Sequence, residues 1–568
     1  MKRDIGLVLV TVLAATVVIA QQAPTSASSP ASDRPALNLP PGISGPMKSI
    51  SAERIRAHVK FLSSDLLEGR GTGQRGGDLA AEYIATQFAL LGLKPAGDKG
   101  SYLQRVPLVG NTPLPETRFT IAPPRADAAS LRLLEDYVVH DETQQPVVDI
   151  DAPVVFVGYG IDAPEYKWND YKDADVRGKI LLMLVNEPPS SDPKFFKGDA
   201  LTYYGRWTYK YEEGARKGAA GVLLIHKTDM ASYGWEVVRN SWGGERSFLR
   251  DKPGPKLKAA GWVQLEVARQ VLKSAGQDLD ALMQQAKSRD FRPIPLAVEA
   301  HAHIVSRVRP FDSNNVIAEL PGAGPRAGEG VMYSAHYDHL GIDPALKGDQ
   351  IYNGAADNAT GCGILLELAR AWSNVRPRPA RSIYFASVTA EEQGLLGSEY
   401  LGLHLPAAAD KITLALNFDN VQPFGIPEQT QVAGSERTTF YPTVESVARS
   451  FGLEIKPDPR PQAGHYYRSD HFSLARVGIP AFSVNQGDKF RGHDQQWGAK
   501  QAEEYTAHRY HQPSDEYRDD MDFRGEAQMA VFGFILGWKA ASQPQLVRWL
   551  PGDEPSREDL PGAQATPR

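Results

Sequence analysis

Cysteine is nearly absent from this 568-residue chain: Cys362 stands alone, so no disulfide can form within it. Basic excess is absent too, with 62 Lys and Arg against 68 Asp and Glu and a net charge of −6. That balance argues against nucleic acid or an anionic membrane as partner, since either calls for a basic patch or stripe. No apolar run reaches the roughly 20 residues that a membrane-spanning helix needs. The longest, "IGLVLVTVLAATVVIA" at 5–20, follows Lys2 and Arg3 and ends in the small Ala20. It reads as an export signal, placing the mature protein in the periplasm or outside the cell, with no stable membrane insertion after cleavage.

With 42% hydrophobic and 23% charged residues, the chain has the composition of a globular protein and the length of more than one domain. The polar stretch 21–48 is expected to be a flexible leader. "ISAERIRAHVKFLSSD" and "GDLAAEYIATQFALLGL" carry helical apolar spacing. From 126 to 290 the apolar runs are short and strand-like, as in "APVVFVGYG", "GKILLMLV" and "AAGVLLIH". From 291 strands and helices alternate: "NVIAEL", "GVMYSAHYDHLG", "RSIYFASV", "ITLALNFDN" and "IPAFSVN" read as strands, with "GCGILLELARAWS" and "TVESVARSFG" as helices among them. The expectation is an α/β fold, a mixed and mostly parallel sheet flanked by helices. Residues 546–568 are expected to form a disordered tail. Cys362, inside a helical apolar pattern, reads as a small core residue.

Acids and histidines gather at the predicted strand ends. His336 and Asp338 lie in "SAHYDHLG", Asp357 in "NGAADNATG", Glu391 and Glu392 in "TAEEQG", Asp419 in "LNFDNV" and His511 in "RYHQPSDEY". Intervals of 21, 34 and 27 residues separate the first four groups, about one strand–helix unit each, so each new strand can return its ligand to the same rim. Mixed imidazole and carboxylate donors suit zinc or another divalent ion. His336, Asp357, Glu392, Asp419 and His511 are too many for one catalytic zinc but suit two ions, with Asp357 as the bridge. Glu391 is then left over as general base, acting on a metal-bound hydroxide or water. Asp338, two residues past His336, is expected to accept the other imidazole N–H. His301 and His303 read as a polar strand face. His339, His493 and His508 are left out of the candidate set, and the aromatic run "YYGRWTYKY" at 203–211 reads as a packed or partner-facing surface.

The ordered set "AHYDHLG", "GAADNATG", "TAEEQGLLGS", "NFDN", "YYRSDHFS", "GIPA" and "YHQPSDEY" resembles the zinc exopeptidase family. That family holds secreted leucine-type aminopeptidases, glutamate carboxypeptidase, glutaminyl cyclase and the transferrin receptor ectodomain. The resemblance implies a phosphorylase/hydrolase-like peptidase built from 49–125 and 291–545, with 126–290 inserted as a β-rich protease-associated domain. It implies two zinc ions, one on His336, Asp357 and Asp419 and the other on Asp357, Glu392 and His511. It places Glu391 on the catalytic base, Tyr466 on an oxyanion-holding tyrosine, and a cis peptide bond after Asp357. It implies peptide or protein substrates and an aminopeptidase activity, with a carboxypeptidase, a dipeptidase or a glutaminyl cyclase-like transferase as alternatives. No ligand is missing, which sets the chain apart from the non-enzymatic receptor branch. Asn420-Val421-Gln422-Pro423 departs from the aminopeptidase pattern after Asp419, and no counterpart of the arginine cluster of glutamate carboxypeptidase is found.

Overall fold

The computed structural model describes residues 37, 39–124, 130–231 and 233–551. The export signal expected at 1–20 lies outside the described residues. Eleven strands position the functional residues: β1 (Leu103–Pro113), β2 (Tyr137–His140), β3 (Val147–Phe156), β4 (Ile180–Leu184), β5 (Gly221–His226), β6 (Ala259–Gln264), β7 (Ile294–Leu320), β8 (Gly330–His336), β9 (Ser382–Val388), β10 (Ile412–Asn417) and β11 (Ala481–Ser483). Seven helices matter here: α1 (Ala52–Leu62), α2 (Arg75–Leu90), α3 (Thr360–Ser373), α4 (Tyr441–Phe451), α5 (His471–Arg476), α6 (Trp497–His508) and α7 (Arg524–Ser542).

The strands pair in the order β11-β10-β8-β9-β7-β3-β4-β5-β6-β2. β8, β9, β10 and β11 run parallel. "GVMYSAH", "SIYFASV" and "ITLALN" are buried at every position, the mark of a parallel sheet covered on both faces rather than one alternating between core and water. On one face α1, α2, α3, α4 and α7 supply the cover, with Tyr333 stacked on Phe385 at 5.8 Å and Trp372 against Phe534 at 4.8 Å. On the other face α5 packs Phe472, Leu474 and Ala475 against Met332 and Ala415. Because neighbouring strands are parallel, the carboxyl ends of β8, β9 and β10 open onto one rim.

β7 joins the two halves of the molecule. Its first half pairs with β3, its second with β9, and β1 lies along its middle and second half. The boundary expected at 290/291 therefore falls just before a strand that serves both halves. Residues 296–307 alternate between buried and more exposed, and the turn-prone "RPFDSNN" that follows stays in the strand because β1 pairs along 306–316. A second pair of cores, spanning Phe119 to Ile304, packs β2 to β6 and the first half of β7. His301 and His303 point outward from it and pair across the strands with Asp151 and Asp149, as a polar face should. In the aromatic run Tyr209 and Tyr211 are buried.

Two expectations at the chain ends are corrected. Residues 41–48 of the expected leader form a helix whose Ile43 joins the main core. Val547 and Trp549, within the expected tail, are buried, and the Val547 N–H donates to Thr413 Oγ1 at 2.7 Å. Both segments anchor through a few scattered apolar side chains, Leu37, Leu39, Ile43 and Met47 in the first and Val547 and Trp549 in the second, too sparse to register in a polar composition.

Within the second half, His140 is wholly buried and its Nε2 contacts the Trp242 carbonyl at 2.8 Å. Burial, and then nearby Arg246, pushes this imidazole from 6.5 down to about 3. The unfolded chain takes up a proton below pH 6.5 that the folded chain refuses, so the contribution to stability is full above 6.5 and lost towards pH 3. The limiting slope is about 1.4 kcal/mol per pH unit. Urea unfolding from pH 7 to pH 4 should therefore lose less stability in His140→Gln than in the parent. Equal slopes would contradict the assignment.

Candidate metal centre

The predicted ligands meet at the shared rim. His336 is the last residue of β8, Glu391 and Glu392 follow β9, Asp419 follows β10, Asp357 sits in the turn before α3, and His511 follows α6. His336 Nε2 lies 3.3 Å from Asp357 Oδ1 and 3.3 Å from Asp419 Oδ1. On the other side His511 Nε2 lies 3.4 Å from Asp357 Oδ2 and 3.0 Å from Glu392 Oε2. The two oxygens of Asp357 thus face different histidines. Donor atoms of His336, Glu391 and Asp419 lie within 4.8 Å of one another, as do those of His339, Asp357 and Glu392.

This donor chemistry fits divalent cations. Four carboxylates and three imidazoles crowd a buried rim, and His511 Nε2 makes no hydrogen bond despite its close carboxylates. The protonation balance points the same way. Burial works against the charged form of His336, yet Asp419 and Glu391 hold it well above its usual value. Burial opposes ionisation of Asp357 as well, but His336 and His511 hold it well below the carboxylate range. Glu392 is drawn down to about 2 against its burial, chiefly by His511. The cluster draws in positive charge, and without metal its own imidazoles supply it. Glu391 goes the other way: burial, with Asp419, Glu392 and Asp470 beside it, pushes its carboxyl well above the usual range. The surroundings push two adjacent glutamates in opposite directions.

The surrounding residues fix these groups. Gly354, at φ 56°, opens the Asp357 turn, and a Cβ there would lie 2.2 Å from the Asp357 carbonyl oxygen. The Asp357–Asn358 peptide bond is cis. Asp515 accepts the N–H groups of Ala356 and Asp357 at 3.0–3.2 Å. Buried Arg70 donates to the carbonyls of Leu62, Tyr337, Asn353 and Gly354 at 2.5–2.9 Å, tying the turn after β8 to the Asp357 turn. Ser469 donates from its hydroxyl to Asp419 Oδ2 and accepts from Asn417 Nδ2.

Three expectations need adjustment. His336 Nδ1 contacts the backbone carbonyl of Asp338 at 3.1 Å, while the Asp338 carboxylate stands 3.8 Å away. That carboxylate instead accepts from the Glu391 and Glu392 N–H groups and from Thr72, so it orients the glutamate pair. Strand spacing placed Asp338 on the right face but did not set which of its oxygens meets the ring. Tyr466 is corrected more firmly. Its hydroxyl donates to the Ala481 carbonyl at 3.1 Å and its ring packs edge-on to His471, so its one donor is committed to the backbone and not offered to an oxyanion. His339, left out of the candidate set, is buried with Nδ1 2.6 Å from Glu392 Oε1, which orients the glutamate oxygen facing away from His511. Its position three residues after His336 in "HYDHLG" was the available signal, as was that of Asp515 four residues after His511 in "YHQPSDEY"; Arg70 had none.

Residues 315–531 match the model of peptidase family M28. Leupeptin-inactivating enzyme 1 of Streptomyces exfoliatus is 29% identical over 188 residues, 32% of this chain and 39% of that protein. A probable zinc metalloprotease of Pyrenophora tritici-repentis is 33% identical over 130 residues, 22% of this chain and 26% of that one. The chain therefore aligns with well under half the length of either relative. Among solved structures, an aminopeptidase from Aneurinibacillus sp. strain AM-1 superposes with a TM-score of 0.49 at 19% identity, covering 89% of this chain and 97% of that one.

Proposed function

Residues 315–531 belong to peptidase family M28, and from that premise we propose an exported aminopeptidase that works with two zinc ions. One observation carries the proposal: the oxygens of Asp357 face His336 on one side and His511 on the other. One ion would rest on His336, Asp357 and Asp419, the other on Asp357, Glu392 and His511. Zinc so held supplies a Lewis acid for the scissile carbonyl and an acidified water, whose pKa falls from 15.7 towards about 7.

The chain's own residues do the rest. Glu391, whose side chain makes no hydrogen bond among the described residues, takes the proton from the attacking water and returns it to the leaving amine. Asp338 holds the backbone of Glu391 and Glu392, so base and ligand keep their separation. Asp515 and Arg70 keep the Asp357 carboxylate between the two histidines, and Ser469 keeps Asp419 turned towards His336. The half spanning 126–290 is assigned as an inserted protease-associated domain flanking this rim.

Hydrolysis of short peptides with free and N-acetylated amino ends tests the reading. The free peptides are expected to lose N-terminal residues and the acetylated ones to resist. Undiminished cleavage of the acetylated set, with loss on C-terminal amidation, would assign a carboxypeptidase instead. Cyclisation of N-terminal glutamine without hydrolysis would assign the transferase.

A further inference from the structure

A second polar recess lies where the two halves of the molecule meet. It is narrow, with a cavity volume of about 20 Å³, and it is partly open to solvent. From the β4–β5 half come Arg206, Trp207, Met230 and Tyr233; from the segment before α5 come Gln462 and Arg468. No acid lines it. Neither guanidinium makes a hydrogen bond or ion pair among the described residues, and the Nε of each is buried without a partner. The acids next in sequence to the lining are engaged elsewhere: Glu187 accepts the N–H and hydroxyl of Thr202, and Asp229 pairs with Lys227.

Arg206 and Arg468, both partly buried, line one recess without a counter-charge, an arrangement that costs more the less water reaches it. Burial first, and Arg468 second, pulls the Arg206 guanidinium down to about 10. The walls hold the pair together regardless. The Leu201 N–H donates to the Pro461 carbonyl at 3.0 Å, Tyr203 packs on Phe472 at 4.9 Å, and Arg476 pairs with Glu212 at 3.0 Å.

We propose that the Arg206–Arg468 recess binds a small carboxylate that bridges the two halves of the molecule. A carboxylate matches the guanidinium fork in shape and charge, and one bound here would take a donor from each side of the seam. The recess and the metal centre share a chain segment, since Arg468 immediately precedes Ser469, which donates to Asp419. The carboxylate has two sources: a free metabolite, or the C-terminus or acidic side chain of a peptide held at the rim. The second source rests on the peptidase reading; the first does not.

The test uses the full, zinc-loaded chain. Acetate is titrated at constant salt with acetamide as the neutral control, and the melting temperature is followed. A saturable rise of about 2 °C with acetate alone is expected in the parent. It should be absent in Arg206→Gln and in Arg468→Gln. A second arm compares KM for a short peptide with its C-terminal amide. A preference of about tenfold for the free acid that collapses in Arg206→Gln assigns the peptide as source. Saturable acetate binding without that preference assigns a free carboxylate. No saturable rise and no preference together overturn the proposal. Because the acetate arm needs no catalysis, a failed peptidase assignment would leave its outcome readable.

Discussion

Glu391→Gln is expected to lower kcat by about 10²–10⁴-fold, with KM close to the parent's and the zinc content unchanged. The amide keeps the size of the side chain and leaves the backbone contacts intact, including the N–H that donates to Asp338 at 3.1 Å. What it removes is the ability to accept a proton. The parent's environment prepares this role: burial and the neighbouring Asp419, Glu392 and Asp470 raise the Glu391 carboxyl, and a raised carboxyl is the more basic one. Metal analysis decides between base and ligand. Glu391 shares a 4.8 Å donor cluster with His336 and Asp419, so a ligand role is sterically open to it. Loss of one metal equivalent in Glu391→Gln would make it a ligand, and near-parental kcat would remove it from the chemistry altogether.

The rim was legible in the sequence because its logic is local. His336, Glu392 and Asp419 sit at or just past the ends of strands whose apolar runs are visible, and parallel strands bring such ends together by geometry; Asp357, before α3, and His511, after α6, reach the same rim from helix ends. The spacing from His336 to Asp357 to Glu391 could be read without knowing any contact. The residues that hold the ligands still were not legible. Arg70 reaches the carbonyl of Asn353 across 283 residues, and Asp515 reaches the N–H of Asp357 across 158. A side chain that bonds to distant backbone leaves no periodicity, and even Asp515's place in "YHQPSDEY" does not tell which backbone it holds. Tyr466 illustrates the complementary failure. The family resemblance gave it a role at the rim, but the short helical turn His465–Tyr467 and the strand beside it send its hydroxyl to Ala481. β7 failed as a boundary for a third reason: alternation marks a strand without telling how many sheets share it.

Removing the metal should have an even larger effect than removing the base. Chelator treatment is expected to cut hydrolysis by more than about 10³-fold, because at neutral pH unassisted water, with its pKa of 15.7, offers almost no hydroxide. The protein should also lose stability, since four carboxylates on a buried rim then keep only imidazolium as counter-charge. Zinc titrated into the stripped protein should restore both activity and melting temperature, and both curves should break at two equivalents. Asp357→Asn separates shared from independent sites. Its amide nitrogen would meet one histidine with a donor in place of an acceptor, on the side of either His336 at 3.3 Å or His511 at 3.4 Å. If both ions lean on Asp357, the variant should bind less than one equivalent with high affinity and stay inactive at saturating zinc. If instead it retained one tight equivalent and measurable turnover, the two donor groups would be independent, and catalysis would belong to a single ion.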